Sequence, residues 1–336
     1  MPVTDKTNIG LQESRNNKAD EFYTMYEDID AEMSLYADCN NAFENKIVYC
    51  PCDDFTVSNF YKYFKDNFKK LKLKKLIATG FKEPQGLYAY YDGETEHMEW
   101  CMVWSKDKKH LISESCDFRG DFVKNLIEES DIIVTNPPFS LSKEFMLLLL
   151  NMNKKFIVLG NVNAITYKGI FSHFVNGDLR LGGSIHSGDR KFYIPDDYPL
   201  DGTACGVDEH NRRYIRVKSV RWFTNMEYNY PMVKHTVLTM NYNPNIHQKY
   251  DTYDAINSNT MKEIPLDYYD EIGVPITVLD KVNADGDIEF CDQQGYLKLF
   301  KLVGQLNGGS NKENYDFAKP IINGKCKFKR LIIKRV

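Results

Sequence analysis

Through its first half the chain alternates between short β-branched runs and longer stretches whose apolar residues recur at helical spacing. Phe22, Met25, Ile29 and Met33 predict a first helix over Asp20–Leu35, after a polar leader. Lys46–Cys52 reads as a strand and Ser58–Phe68 as a helix that opens on a polar serine and carries Phe60, Tyr63 and Phe64. Lys75–Thr79 is a second strand, bounded by Gly80, and Tyr88–Trp104 alternates about Asp92-Gly93 as a β-hairpin does. A helix over Asp121–Glu129, a strand over Asp131–Thr135, an amphipathic helix over Ser142–Leu150, a strand over Lys155–Gly160 and a helix near Tyr167–Phe174 follow. Strands alternating with helices predict the α/β class with a doubly wound, mostly parallel sheet.

From Gly182 the pattern changes to glycines, prolines, tyrosines and short alternating runs, among them Asp196-Asp197-Tyr198-Pro199, Asn241–Pro244 and Gly308-Gly309. No internal repeat is visible. The simplest division is a polar leader over 1–19, an α/β domain over 20–175, and a β-rich or irregular region over 176–336.

Composition narrows the class. With 336 residues, 43% hydrophobic and 27% charged, the chain has the make-up of a soluble globular protein with a full core. Its longest apolar stretch, Phe145–Leu150, is far too short to span a bilayer, and the amino terminus lacks the apolar segment of a secretion signal, so the expected location is the cytoplasm. Eight cysteines are scattered without zinc-finger spacing. Cys50 and Cys52 fall on one predicted strand face, but no second pair completes a set of ligands, and no metal is expected.

A net charge of −4 argues against coating nucleic acid by bulk charge but leaves room for a basic cleft. Basic residues gather at Lys69–Lys75, Arg180–Lys191, Arg212–Arg221 and Lys325–Arg335. The second and third clusters are interleaved with Phe192, Tyr193, Tyr198, Tyr214, Trp222 and Phe223, which makes Arg180, Arg190, Arg212, Arg213 and Arg216 the candidates for nucleic-acid contact.

The most informative segment is Asp131-Ile-Ile-Val-Thr-Asn-Pro-Pro-Phe139. Its β-branched run places Asn136 at the carboxyl end of a buried strand, where open α/β sheets hold their ligands. Pro137 and Pro138 stiffen the following backbone and leave its carbonyls few internal donors. An amide oxygen, a free Pro137 carbonyl and the Phe139 ring suit a planar ring with an exocyclic amine, an aminated base. A plain turn after a strand is the competing reading, and the strand–loop–helix setting favours the site.

Here the residues resemble a family. Asn136-Pro137-Pro138-Phe139 is similar to the catalytic motif of the amino-methylating DNA methyltransferases, and the ordered series around it resembles the EcoRI-type adenine-N6 enzymes: Asp20–Thr24, Val48–Cys50, Cys52–Asp54, Val57–Phe60, Asp117–Arg119, Asn161–Asn163 and Ile165–Lys168. Tyr250-Asp251, Tyr253–Asn257, Ile264–Tyr268 and Gly273–Thr277 resemble that family's carboxyl half, so the resemblance spans nearly the whole chain.

The resemblance implies a Rossmann-like fold, S-adenosylmethionine as methyl donor, and double-stranded DNA as the partner of a monomeric enzyme, within or outside a restriction system. Asn136 and Pro137 would accept the two hydrogens of the adenine amine, Pro138 would stiffen the segment, and Phe139 would stack on a base flipped from the duplex. Phe192 is the candidate for the opposite face of that base. Phe22, Tyr23 and Thr24 would close the methionine end of the cofactor, Asp53 and Asp54 would accept from its ammonium or ribose, and Asp117 and Phe118 would hold its adenine. The usual glycine-rich turn is replaced by Asp53-Asp54-Phe55-Thr56. N4-cytosine methylation, transfer to a protein or RNA amine, and a DNA-binding module without chemistry are the alternatives.

Overall fold

The computed structural model describes residues 22–82, 85–102, 117–186, 188–195, 198, 204–230, 235–283, 286–307 and 318–336. The leader, with Asp20 and Glu21 of the expected first helix, lies outside the described residues, as do Val103 and Trp104 at the carboxyl end of the expected hairpin. The chain forms two compact units, Met1–Asn161 with Gly182–Asn229, and Val162–Leu181 with Tyr230–Val336. It crosses between them after Asn161, Leu181 and Asn229, where the sequence reading placed one boundary near residue 175.

The first unit begins with β1 (Tyr23–Thr24), α1 (Tyr26–Ala37), β2 (Ile47–Cys50), α2 (Asn59–Asp66) and α3 (Phe68–Leu71). It continues through β3 (Lys75–Lys82), β4 (Gln85–Tyr91), β5 (Glu96–Met102), α4 (Asp121–Glu129), β6 (Ile132–Thr135), α5 (Ser142–Asn151) and β7 (Lys155–Asn161). The chain then forms α6 (Lys168–Val175) and β8 (Arg180–Leu181) in the second unit and returns as β9 (Arg190–Tyr193), β10 (Cys205–Val207), β11 (Arg213–Val217) and β12 (Val220–Thr224).

The main sheet of this unit runs β5-β4-β3-β2-β6-β7-β12. Its centre is parallel, with β2 pairing β3 on one side and β6 on the other, and β6 pairing β7. Both margins are antiparallel, through β3-β4-β5 and through β7-β12. The architecture is therefore mixed α/β. β2 and β6 are buried on both faces, which is why they read as unbroken apolar runs rather than alternating ones. Strand order reverses at β2, and the carboxyl ends of β2 and β6 meet at that reversal.

Several expectations change in detail. The first helix starts only at Tyr26, because Tyr23 and Thr24 are drawn into pairing with Tyr193 and Phe192. The predicted helix over Ser58–Phe68 breaks at Asn67, whose φ of −99° leaves the helical region. β3 passes through Gly80 and continues to Lys82 instead of stopping at Thr79. Glycine is needed there, since a Cβ on Gly80 would stand 2.8 Å from the Asp54 Cα. Cys50 and Cys52 do not share a strand face: Cys50 ends β2, and Cys52 adopts a left-handed turn with φ 63°. The hairpin about Asp92-Gly93 forms as expected, with Gly93 at φ 99°.

A second, antiparallel sheet, β1-β9-β11-β10, belongs to the same unit. In the second unit β13 (Thr236–Val237), β14 (Ile256–Asn257), β15 (Ile272–Val274), β16 (Ile288–Cys291), β17 (Leu297–Leu306) and β20 (Arg330–Arg335) form a sheet, beside a small ribbon of β18 (Ile321–Ile322) and β19 (Lys325–Cys326). Its core includes Tyr250, Ala255, Leu306, Ile322 and Ile332. The Tyr250 ring lies where a side chain on Gly273 would be, and its hydroxyl donates to Asn257 Oδ1 at 2.8 Å. Among the described residues no helix is long and apolar enough to cross a membrane.

Candidate active site

The carboxyl ends of β2 and β6 are tied together by short polar side chains. Asp53, buried just past β2, accepts from the Ser58 hydroxyl at 2.8 Å on one oxygen and from the Thr135 hydroxyl at 2.7 Å on the other. Its N–H donates to the Thr79 carbonyl at 2.8 Å, so the same residue also pins the end of β3. Ser58 caps α2, accepting from the N–H groups of Phe60 and Tyr61. One residue thus links three strand ends and a helix start, its carboxylate reaching Ser58 and Thr135 and its N–H reaching Thr79. Asp54 is spent locally, its Oδ1 accepting from the backbone and hydroxyl of Thr56 at 2.9 and 2.5 Å. The turn that a glycine would make in a glycine-rich loop is made by Cys52, at a steric cost of about 1–2 kcal/mol for a residue with a Cβ.

The segment Phe22–Thr24 lies against this platform. Asn59 Nδ2 donates to the Thr24 carbonyl at 2.7 Å, and Asn136 Nδ2 donates to the Phe22 carbonyl at 2.8 Å. Because a carbonyl only accepts, the second bond decides which end of the amide faces Phe22. Asn136 Oδ1 is left buried without a hydrogen-bond partner, and so is Thr24 Oγ1. The Pro138 carbonyl accepts from Leu141 N–H at 2.8 Å, whereas no donor among the described residues reaches the Pro137 carbonyl.

Around this amide stand aromatic rings from distant parts of the chain. Phe22 lies 5.7 Å from Phe139, 6.1 Å from Phe192 and 6.0 Å from Tyr198, and Phe139 meets Phe192 at 6.0 Å with their planes at 85°. Phe192 reaches the cluster because β9 pairs with β1, placing it opposite Thr24. Two rings that sandwich a base must be parallel and about 7–8 Å apart, two van der Waals contacts in all. Phe139 and Phe192 are perpendicular and in edge contact, and Phe22 stands within 6.1 Å of both, so the three rings close on one another and leave no slot for a base in this state.

Asp117 and Phe118 precede α4. Arg119 grips Asp117 through its Nε at 2.8 Å and its terminal nitrogen at 2.5 Å, and this hydrogen-bonded pairing holds the Asp117 carboxyl below its ordinary range. The Phe118 ring is buried edge-on against Phe145 of α5 at 5.1 Å.

The arginines separate. Arg180 belongs to the second unit and reaches the Gly177 carbonyl at 3.4 Å. Arg190 and Arg213 alternate onto the side of their strands that carries Phe192, and each has a buried Nε without a partner. Arg212 pairs with Asp208 at 2.9 Å, and Arg216 is exposed on the opposite side. The sequence reading did not single out Ser58, Asn59, Thr135, Tyr198 or Arg119 as members of the site. Ser58 carried a signal as the polar start of a helix, Thr135 stands directly before the amide, Tyr198 is one of the aromatics interleaved with the basic clusters, and Asn59 and Arg119 fall in segments that resemble the family.

Comparison with known proteins gives this geometry its context. A family described as adenine-specific methyltransferase EcoRI matches residues 10–336. The chain is similar to the Type II methyltransferase M.EcoRI of Escherichia coli, 37% identical over 98% of this chain and 97% of that protein. It is also similar to the Type II methyltransferase M.MpnI of Mycoplasma pneumoniae, 33% identical over 96% of this chain and 97% of that one, and to a Type II methyltransferase of Mycoplasma genitalium at 31%, over 96% and 97%. No solved structure matches. Similarity of this extent, running through Asn136–Phe139 and on to the last strand, places the chain in the EcoRI family of adenine-specific methyltransferases, and it is a DNA methyltransferase.

Proposed function

We propose that this enzyme transfers a methyl group from S-adenosylmethionine to the N6 amine of an adenine flipped out of double-stranded DNA, with Asn136 and Pro137 as the groups that receive the amine. The observation that carries this reading is the Asn136 amide: its nitrogen is held by the Phe22 carbonyl, and its oxygen is buried without a donor. An unpaired buried acceptor costs about 1–3 kcal/mol, and a substrate N–H that reaches it recovers that cost. The Pro137 carbonyl supplies a second acceptor on a backbone two prolines make stiff.

The amine of adenine is a weak nucleophile because its lone pair is delocalised into the ring. Two acceptors that draw its hydrogens out of the ring plane localise that pair on nitrogen, and they also take up the charge that develops as the bond forms. No side chain need form a covalent bond with the base. Phe139 and Phe192 would bracket the base once the three rings part.

The residues beside this amide fit the methyl donor, which when bound supplies an electrophilic methyl on a sulfonium centre. Thr24 offers a buried unpaired hydroxyl next to the amide strand, suited to a carboxylate or an ammonium. Phe118 offers an apolar wall, and Asp117 an ionised acceptor for an amine. Asp53 supports this as the tie between strands rather than as a free ligand, since both its oxygens already accept. The reversal of strand order between β2 and β6 supports a doubly wound, Rossmann-like reading of the sheet, with donor and base on either side of that point. We assign recognition of the DNA to residues 182–229 and the second unit.

Incubation with labelled S-adenosylmethionine and unmethylated duplex, followed by nucleoside analysis, tests the reading. Label in N6-methyladenine is the expected result; label only in cytosine, or only in protein or RNA, overturns it.

A further inference from the structure

We propose that Lys191 and Arg216, set about the Tyr214 ring on the outward face of the β1-β9-β11-β10 sheet, form a clamp for a phosphodiester of the substrate DNA. The proposal rests on DNA being the substrate.

The register pairs Tyr214 with Tyr193 and Arg216 with Lys191. Because side chains alternate, these four share the face opposite Phe192 and Ile215. Lys191 and Arg216 are therefore direct cross-strand neighbours of like charge, an arrangement that opposes pairing unless an anion lies between them. Both are held at the same ring, Lys191 Nζ 4.4 Å and Arg216 Cζ 5.6 Å from the Tyr214 centroid. Among the described residues neither has a carboxylate partner.

The rest of the face shows that this charge is local. Arg212 lies 4.3 Å over the Tyr193 ring, but Asp208 neutralises it at 2.9 Å, and the Tyr193 hydroxyl donates to the same carboxylate at 3.3 Å. The Tyr214 ring lies over Gly206, its partner on β10, where a Cβ would come within 2.7 Å of the Tyr214 hydroxyl. The cations thus flank a ring that packs on the strand beside it.

Position on β9 favours DNA as the source of the anion. Phe192 points into the cluster with Phe139, and its neighbours Lys191 and Tyr193 point the other way. One short strand so presents a ring toward the base site and a cation toward solvent. A backbone passing this sheet as it delivers a base meets an ammonium and a planar guanidinium together, a donor set suited to phosphate oxygens.

Binding of a labelled unmethylated duplex, followed by anisotropy from about 50 to about 200 mM salt, tests the clamp. Lys191→Gln and Arg216→Gln are each expected to weaken binding and to flatten the slope of log affinity against log salt, and the double variant to flatten it by no more than about 1 in all, because both cations serve one phosphate. Arg212→Gln, whose charge Asp208 already cancels, should flatten it less. Slopes equal to wild type in both single variants and the double, with wild type binding normally, would overturn the clamp alone. Failure of the wild-type protein to bind duplex DNA would overturn the functional reading, and the clamp with it.

Discussion

The Phe22 carbonyl accepts a 2.8 Å hydrogen bond from Asn136 Nδ2. The contact joins the first described residue of the chain to the amide at the end of β6, and it fixes which atom of that amide is left without a partner. Asn136→Ala is expected to lower methyl transfer by on the order of 10²-fold or more, the scale of losing one preorganised polar contact, while S-adenosylmethionine affinity stays within a few-fold. Single-turnover rates beside equilibrium binding of the cofactor check this. Turnover near wild type would remove Asn136 from the mechanism.

Asn136→Asp separates orientation from shape. An ionised aspartate has no N–H for the Phe22 carbonyl and is repelled by it, so turnover is expected to fall at neutral pH. A protonated carboxyl regains one donor, and activity relative to wild type should rise as the pH drops toward about 4. A ratio that stays flat with pH would show that the bond to Phe22 does not set the amide.

Asp53 supports two hydroxyls and a helix cap. Asp53→Ala leaves the buried Ser58 hydroxyl without its acceptor, while the Thr135 hydroxyl keeps the Pro51 carbonyl, and is expected to destabilise the fold by about 1–3 kcal/mol, seen as a lower midpoint in urea. If stability holds and only cofactor binding falls, the carboxylate acts on the ligand directly.

The Asp117–Arg119 pair makes a prediction about acid. Its partner lowers the folded pKa of Asp117, so the pair's contribution to stability is complete above the unfolded aspartate value of about 3.9 and is lost as pH falls through the lower folded value. Arg119→Gln should move the Asp117 titration, followed by carboxyl NMR, back up toward the ordinary value. An unchanged titration would mean that the pairing does not set it.

Gly80 gives a test of the platform itself. With the Asp54 Cα only 2.8 Å from where its Cβ would lie, Gly80→Ala must push the 52–56 turn off the end of β3. A raised KM for S-adenosylmethionine with a smaller change in DNA affinity is expected, and unchanged kinetics would show that this turn does not touch the cofactor.

What could be read from sequence was whatever depends on neighbours along the chain. The apolar run ending at Asn136, the hairpin about Asp92-Gly93 and the cap at Ser58 are local patterns, and each stands in the structure where periodicity placed it. What escaped depends on partners far away. Nothing near Tyr23 announces that it forms a strand, because its partner is Tyr193. Gly80 looked like the end of a strand because the feature that requires glycine is the backbone of Asp54. The two ends of the Asn136 amide, one held and one open, depend on a carbonyl more than a hundred positions earlier.

The pairing of β1 with β9 also bears on how the enzyme is made. The segment carrying Phe22 leaves the ribosome early, yet its strand partner and the ring of Phe192 are synthesised only after the parallel centre of the main sheet is complete. Contacts of such sequence separation form late, since the loop between them must close first. A nascent chain stopped before residue 190 therefore holds the Asn136 strand but lacks half of the surrounding aromatic cluster. The ring cluster about Asn136 is thus completed only after the core of the main sheet has been made.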